Sequence, residues 1–501
     1  MIKQLFASSF FRLLENIIMV AISLLLTPFF IKTLGTNDYG LWLLTLSILG
    51  WFNVIDLGFP AAVQRQVTIA LEKKNDTHIN TIFSTSIMLF GTLGAISSLG
   101  LFAVAQFPEI LDVNNANQIT FSAITTVLII KVLWDFFMNA FHGFFSGMLR
   151  YDIDANISSF NSIVKAVLVF ILIPEMHIWG AVAATLVADF LSNILKIVYV
   201  KKLYPPLVFR LSLISVSELK ELFHFSKHVI ASGVASSINT KSAPILVTKL
   251  FELTLVPIYS IANRLSTLVE GFAKSISAIF QPVFTRMVAR KENMEVMFHE
   301  VSLINITVYS ILYQTLFVFG GVFIILWVGK EFEDSVWLMN ILVFTFLCRA
   351  LSWSTKAVLL AQANHKLLAL TNLSGAICNI ISSIVLSHYF GLIGIALGSA
   401  IGFFMTDVVF NLLLLKRYNN FNLTPVLKGF LLSIVLTYSV GIIGQYLLAN
   451  YMAHNWLMLI TSGIVLCPFI VLINWLVLLN KDIKQKTITT IAAKLPFLKA
   501  T

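Results

Sequence analysis

Charge is scarce in this chain. Asp, Glu, Lys and Arg supply 12% of its 501 residues, where an ordinary soluble domain carries roughly 25%. With 58% of the sequence hydrophobic, that scarcity excludes a soluble globular protein and points to a membrane one. Cysteine is rarer still. Cys348, Cys378 and Cys467 all fall inside apolar runs with no paired spacing, which argues against a disulfide framework or a zinc site and leaves them as small packing residues. No G-x-x-x-x-G-K-[ST] occurs, so no P-loop hydrolyses ATP here. His142 and His388 lack the partner spacing of a metal site, and packing or interfacial roles account for them.

Apolar runs of spanning length are plentiful. They fall at about 13–31, 41–63, 82–105, 119–145, 157–173, 178–200, 228–250 and 256–284, then at 301–328, 336–360, 367–388, 392–415, 426–449 and 457–479. About 20 helical residues at 1.5 Å each cover the hydrocarbon layer of a bilayer. The runs are continuous rather than alternating, and only helices and closed barrels span. The expected fold is therefore an all-α polytopic membrane protein of about fourteen transmembrane helices. The stretch from Leu24 to Arg65 sets the pattern: the end of one run, a polar break from Lys32 to Tyr39 containing Gly35, and a second run closing on Asp56-Leu57-Gly58. The break reads as a tight loop between two antiparallel helices. Lys3 and Arg12 precede a run of full spanning length with no small-residue cleavage site after it, which predicts a retained helix rather than a signal peptide.

The basic residues report topology. Twenty-three Lys and Arg fall in alternate segments that include both termini, among them Lys201, Lys202, Arg210, Lys220 and Lys227, while the other loops hold only Lys32, Lys249 and Lys330. That asymmetry predicts cytoplasmic termini. It also makes the net charge of +10 a topology signal, not a footprint for nucleic acid, which is excluded as a partner. The loops on the opposite side have no room for an ectodomain or a nucleotide-binding domain. The basic tail Lys481–Thr501 suits an anionic leaflet, or simply water.

A weak internal repeat divides the sequence. Gly180-Ala181-Val182-Ala183-Ala184-Thr185, followed by Ser192-Asn193, parallels Gly394-Ile395-Ala396-Leu397-Gly398-Ser399, followed by Thr406-Asp407. Asn161–Val164 aligns with Asn379–Ser382 after a small gap. The expected organisation is a first lobe over 1–200, a connecting loop over 201–225, a second lobe over 226–418, two additional helices over 419–480 and the tail over 481–501. Small residues that merely let helices approach closely would leave the same marks.

Eight bases nonetheless lie inside the windows. Lys196 is near an end and can snorkel; Lys131, Lys165, Lys241, Arg264, Lys274, Arg349 and Lys356 remain. At about 2.5–3.5 kcal/mol each they would cost on the order of 20 kcal/mol facing lipid. They must line a wet cavity, or pair with the acids at depth: Asp56, Asp135, Asp189, Glu270 and Asp407, with Glu15 nearer an edge. Arg349 and Lys356 share a face with Ser352 and Trp353 between them, on a helix with no acid from Val336 to Leu360. An unpaired cationic face there suits an anionic ligand; the alternative is an acid from a neighbouring helix. Arg264, Thr267, Gly271, Lys274 and Ser275 form a polar stripe with Glu270 at its edge. Lys131 and Asp135 stand at i and i+4 and can neutralise each other. Lys241 lies among Ser236, Ser237, Asn239 and Thr240. For Asp56, Asp189 and Asp407, toward the cytoplasmic parts of their helices, a structural or gating role is favoured over substrate contact.

Together these motifs resemble a known family. Pro28, Leu34-Gly35, Tyr39-Gly40-Leu41 and Asp56-Leu57-Gly58 resemble the opening of the polysaccharide-transport branch of the MOP exporters, the Wzx-type O-antigen flippases. Pro257-Ile258-Tyr259-Ser260-Ile261-Ala262-Asn263-Arg264-Leu265 is similar to that family's second-half counterpart, and Gln281-Pro282-Val283-Phe284, Leu326-Trp327-Val328-Gly329 and Tyr389–Leu397 continue it. The resemblance runs from about residue 10 to 420. It implies two six-helix lobes around a central cavity that opens alternately to each side. It implies a substrate of undecaprenyl-diphosphate-linked oligosaccharide, moved from the cytoplasmic to the periplasmic leaflet of the bacterial inner membrane and coupled to an ion gradient. A polysaccharide polymerase and a chain-length regulator are candidate protein partners; no cofactor, metal or catalytic residue is implied. Charge-assisted contacts to phosphate are strong in a low-dielectric cavity. Arg349, Lys356, Lys274 and Arg264 are therefore expected to hold the diphosphate and sugar, supported by Lys131, Lys241 and Lys165. Glu270 or Asp135 is the candidate carrier of H+ or Na+. Two rivals stay open: an organic-cation exporter of the same superfamily, which would favour an acidic cavity, and a membrane polymerase, which would need a sizeable outer loop. A scaffold without transport gives no reason for the deep charges.

Overall fold

The computed structural model describes residues 2–53, 58–277, 280–451 and 455–485; Asp56 and most of the basic tail lie outside them. Over the described residues the chain is helical, without a strand. The helices are α1 (Ile2–Phe52), α2 (Phe59–Glu72), α3 (Asp76–Gln106), α4 (Asn115–Gly147), α5 (Tyr151–Met176), α6 (Ile178–Leu203), α7 (Val216–Leu250) and α8 (Val256–Ser277). They continue with α9 (Gln281–Ala289), α10 (Glu295–Val328), α11 (Asp334–Ala361), α12 (His365–Phe390), α13 (Leu392–Phe403), α14 (Asn411–Asn419), α15 (Thr424–Tyr451) and α16 (Trp456–Leu478).

Among the described residues, eleven helices are long and apolar enough to cross a bilayer. The first of them, Leu14–Phe52, takes in the first of the fourteen apolar windows and the start of the second, and it is not straight. Gly35 has φ 76 and ψ 172, a backbone that favours glycine. In a straight helix Phe30 and Tyr39 would lie about 13.5 Å apart along the axis, yet their rings stack with centroids 5.5 Å apart. The chain therefore folds at Gly35, where the sequence calls for a tight loop. Helices α7 and α8, with 35 and 22 residues, occupy the seventh and eighth windows. They carry Lys241, Arg264, Glu270 and Lys274 and are not among the eleven.

Two compact units emerge, Met1–Pro257 and Ile258–Thr501. The division falls beyond the connecting segment because α7 packs on α1, α2 and α3. That segment, 204–215, is strapped along α3. Asn80 Nδ2 donates to Pro206 O (3.1 Å) and Val208 N–H donates to Asn80 Oδ1 (2.9 Å). Arg210 N–H donates to Ser84 Oγ (3.1 Å), Ser215 N–H to Thr85 Oγ1 (3.1 Å), and the Tyr204 hydroxyl to Asp76. Asp76, Asn80 and Ser84 recur every four residues and so form one polar stripe, which satisfies backbone groups that an irregular segment would otherwise leave open. In the second unit α15 and α16 pack on α10, where Gln314 and Asn474 exchange amide hydrogen bonds of 3.1 and 2.7 Å.

The internal repeat reappears in the backbone. His177, between α5 and α6, has φ 49 and ψ −132; Gly391, 214 residues later between α12 and α13, has φ 59 and ψ −140. Each N–H donates four residues back, and each accepts from the glycine three residues on, at 2.8–3.0 Å. A Cβ on that glycine would stand 2.5 Å from the Leu172 carbonyl oxygen at Gly180, and 2.3 Å from that of Leu386 at Gly394. One turn earlier in the chain, Leu149 and Ala363, also 214 apart, match at φ 57 and 58.

Candidate functional site

In the first unit, α4, α5 and α6 bring four charges together. Lys131 on α4 donates to Asp135 one turn on, and its Nζ is 2.9 Å from Asp189 Oδ2 on α6. Lys165 on α5 reaches Asp189 Oδ1 at 3.6 Å, the same oxygen that accepts from Asn161 Nδ2 at 2.7 Å. Two ammonium groups thus share two carboxylates. The cluster borders a cavity of about 470 Å³ to which Asn139, Ser192, Asn193 and Lys196 also contribute. Lys241 has different work in the same unit. Its Nζ donates to Gly50 O (2.7 Å), and its own carbonyl accepts from Ser47 Oγ (2.5 Å), so it ties α7 to α1. At the α4–α5 turn His142 Nδ1 lies 3.0 Å from Asp154 Oδ2.

In the second unit Arg349 and Lys356 are not the unpaired cationic face that α11 alone suggests. Both acids come from elsewhere. Arg349 Nη1 donates to Glu270 of α8, with its guanidinium 4.3 Å from the ring centroid of Phe403 and 5.2 Å from that of Phe346. Lys356 Nζ donates to Asp407 Oδ1 (3.3 Å), which also accepts from Ser352 Oγ (2.5 Å). Asp407 lies in a π-helical turn, Phe404–Phe410, between α13 and α14. The physical reason is the cost of isolation: a buried cation without a counter-ion costs several kcal/mol, so distant helices supply the acid. Lys274 is exposed on α8, its Nζ 5.4 Å from the centroid of the Trp353 ring. Arg264 is half-buried on that helix.

The structure thus groups Lys131, Lys165 and Asp135 with Asp189, and Arg349 with Glu270. The Lys131–Asp135 pair expected from i, i+4 spacing forms, with Asp189 added. Asp189 and Asp407, read from sequence as structural or gating groups, are the counter-ions of Lys131, Lys165 and Lys356. Sequence reasoning passes over the two phenylalanines around Arg349. Phe346 precedes it by three on one helix, a legible spacing; nothing local marks Phe403.

A helical membrane protein with charge clusters at bilayer depth is the class that fold and site define. Residues 5–288 match the family described as "Polysaccharide biosynthesis protein", more than half of the chain, and the protein belongs to that family. It is 22% identical over 490 residues to a Bacillus subtilis (strain 168) protein described as "Uncharacterized membrane protein EpsK", covering 93% of this chain and 94% of that one. Among solved structures it is similar to the lipid II flippase MurJ in an inward closed conformation, with TM-score 0.72, 15% identity and coverage of 95% of this chain and 98% of that. It is also similar to an inward-facing multidrug resistance MATE family transporter of the MOP superfamily, with TM-score 0.70, 14% identity and coverage of 82% and 98%. The fold is thus shared with MOP-superfamily transporters, and the resemblance to the polysaccharide-transport branch holds for family and fold.

Proposed function

We propose that the protein is a lipid-linked oligosaccharide flippase. It moves undecaprenyl-diphosphate-linked repeat units from the cytoplasmic to the periplasmic leaflet of the bacterial inner membrane by alternating access, with both termini cytoplasmic and an ion gradient as the drive. The observation that carries this reading is the set of bases in apolar helices of a polysaccharide biosynthesis family member: Lys131 and Lys165 paired with carboxylates beside a polar cavity, and Arg349 and Lys356 paired with Glu270 and Asp407. Lys274, exposed and held beside Trp353, is the base a diphosphate meets first, with Arg264 on the same helix. Arg349 and Lys356 join once their carboxylates yield. A proton or sodium ion on Glu270 would release Arg349 to phosphate, which links ion and substrate at one site. Lys131, Lys165 and Lys241 support the sugar-bearing end, with Asp135 as the second candidate ion carrier.

Against an organic-cation exporter stand the basic partners of Asp135, Asp189, Glu270 and Asp407; in its favour, Glu15, Asp135 and Asp189 outnumber Lys165 and Lys196 around the first unit's cavity. The test is complementation of a bacterial strain lacking its flippase, scored by surface polysaccharide, with Lys274→Ala, Arg349→Ala and Lys356→Ala. Loss of polysaccharide at normal protein levels is the expected result. Full activity in all three variants would defeat the assignment.

A further inference from the structure

We propose that the cleft between α14 and the start of α15 is a binding site for an anionic phospholipid, with an acyl chain along the cleft and the headgroup at Lys416. The proposal is independent of the flippase reading. The cleft holds about 430 Å³ and is walled by Val409, Leu412, Leu413 and Leu427. Its polar edge is Lys416, Asn422 and Thr424, where the candidate spans Leu392–Asn419 and Thr424–Leu448 meet. Apolar walls therefore run toward lipid depth while the polar edge sits at a membrane boundary, the same division that an amphipathic lipid has.

Charge picks out the kind of lipid. Lys416, Arg417 and Lys428 are exposed, and the sequence has no Asp or Glu between Asp407 and Asp482. One acid reaches the edge from elsewhere: Glu295 of α10, whose carboxylate accepts the Asn422 N–H at 2.8 Å. Three bases against one engaged carboxylate favour a net negative headgroup, as basic pockets at the ends of spanning helices do. Two other clefts of the same unit, about 440 and 240 Å³, have no charged residue in their walls and give no reason to choose among lipids. The edge is also built in advance. His299 Nε2 lies 2.6 Å from the Asn422 carbonyl oxygen, Asn422 Oδ1 accepts from the Thr424 N–H at 3.1 Å, and the Phe421 ring lies 5.4 Å from that of Phe298. Asn422 is thus fixed through its N–H, its carbonyl and its side chain, so less freedom is lost when a lipid binds. A lipid-linked sugar carrier also joins a chain to phosphate. The cleft, however, offers one lining base where a diphosphate and a sugar need several partners.

The test is native mass spectrometry of the full-length protein in detergent, titrated with dioleoyl-phosphatidylglycerol or dioleoyl-phosphatidylcholine. The first phosphatidylglycerol should bind about fivefold more tightly than the first phosphatidylcholine, and Lys416→Gln should erase most of that preference. Leu413→Trp, which crowds the chain and not the head, should weaken both lipids alike. Lys201→Gln, which removes an exposed base outside the cleft, should change neither. Equal binding of the two lipids by the wild type, or unchanged binding of both in Leu413→Trp, would overturn the site. An equal loss of preference in Lys416→Gln and Lys201→Gln would overturn it in favour of diffuse surface charge. Displacement of bound phosphatidylglycerol by equimolar undecaprenyl phosphate would assign the cleft to the carrier lipid and overturn the proposal as well.

Discussion

The α4–α6 cluster of the first unit and the Arg349–Glu270 and Lys356–Asp407 pairs of the second hold comparable charge in different arrangements. In the cluster, Lys131 bridges two carboxylates, Lys165 keeps 32% of its side chain exposed, and a cavity lies alongside. In the second unit Glu270 is 11% exposed and Asp407 only 2%, and aromatic rings cover the guanidinium. A shared cluster has substitutes at hand when one member is lost; an isolated pair has none. The difference teaches that the two halves kept a common backbone while their charges were rewired for separate tasks.

That contrast can be broken experimentally. The largest effect should come from Glu270→Ala, which strands Arg349 and should cost about 3–5 kcal/mol in thermal unfolding. Replacing both partners, Glu270→Leu with Arg349→Met, should recover most of that loss, because well-packed apolar residues often match a buried pair. Lys131→Ala should cost less, about 1–2 kcal/mol, since Lys165 can take Asp189 and cavity water can solvate Asp135. Equal costs for Lys131→Ala and Glu270→Ala would remove the distinction between a shared cluster and an isolated pair. The smallest effect tests the shared backbone itself. His177→Gly should raise stability by about 1 kcal/mol by relieving a positive-φ strain, and Gly391→His should lower it by a similar amount. Opposite signs in calorimetry would mean that the two turns are not equivalent.

Most of the architecture was legible in the sequence, because lipid enforces helices and their apolar length is local information. The turn at Gly35 and the repeat from Gly180 to Gly394 were visible for the same reason. The site was only half legible. Lys131 with Asp135 shows itself through one helical turn. Arg349 with Glu270 and Lys356 with Asp407 join residues 79 and 51 positions apart, and no spacing rule reaches that far. The short fifth window with Lys165 is a full span, α5, whereas α7 and α8 fall outside the eleven because polar residues dilute their apolar signal.

The wide turn Phe404–Phe410 has a consequence for how such a half can change over time. The run Leu392–Asn419 has 28 residues where α6, its counterpart, has 26. Each residue added to an α-helix swivels everything after it by about 100°. A π-type loop takes up one such residue locally, and just beyond it Asn411 accepts from the Thr371 hydroxyl at 3.1 Å. Excising one residue from that loop would wind the helix tight and swing residues 411–419 to a new bearing. Gain or loss of a single codon there becomes a change of angle rather than a broken helix, and it re-aims Lys416 and Arg417 without refolding.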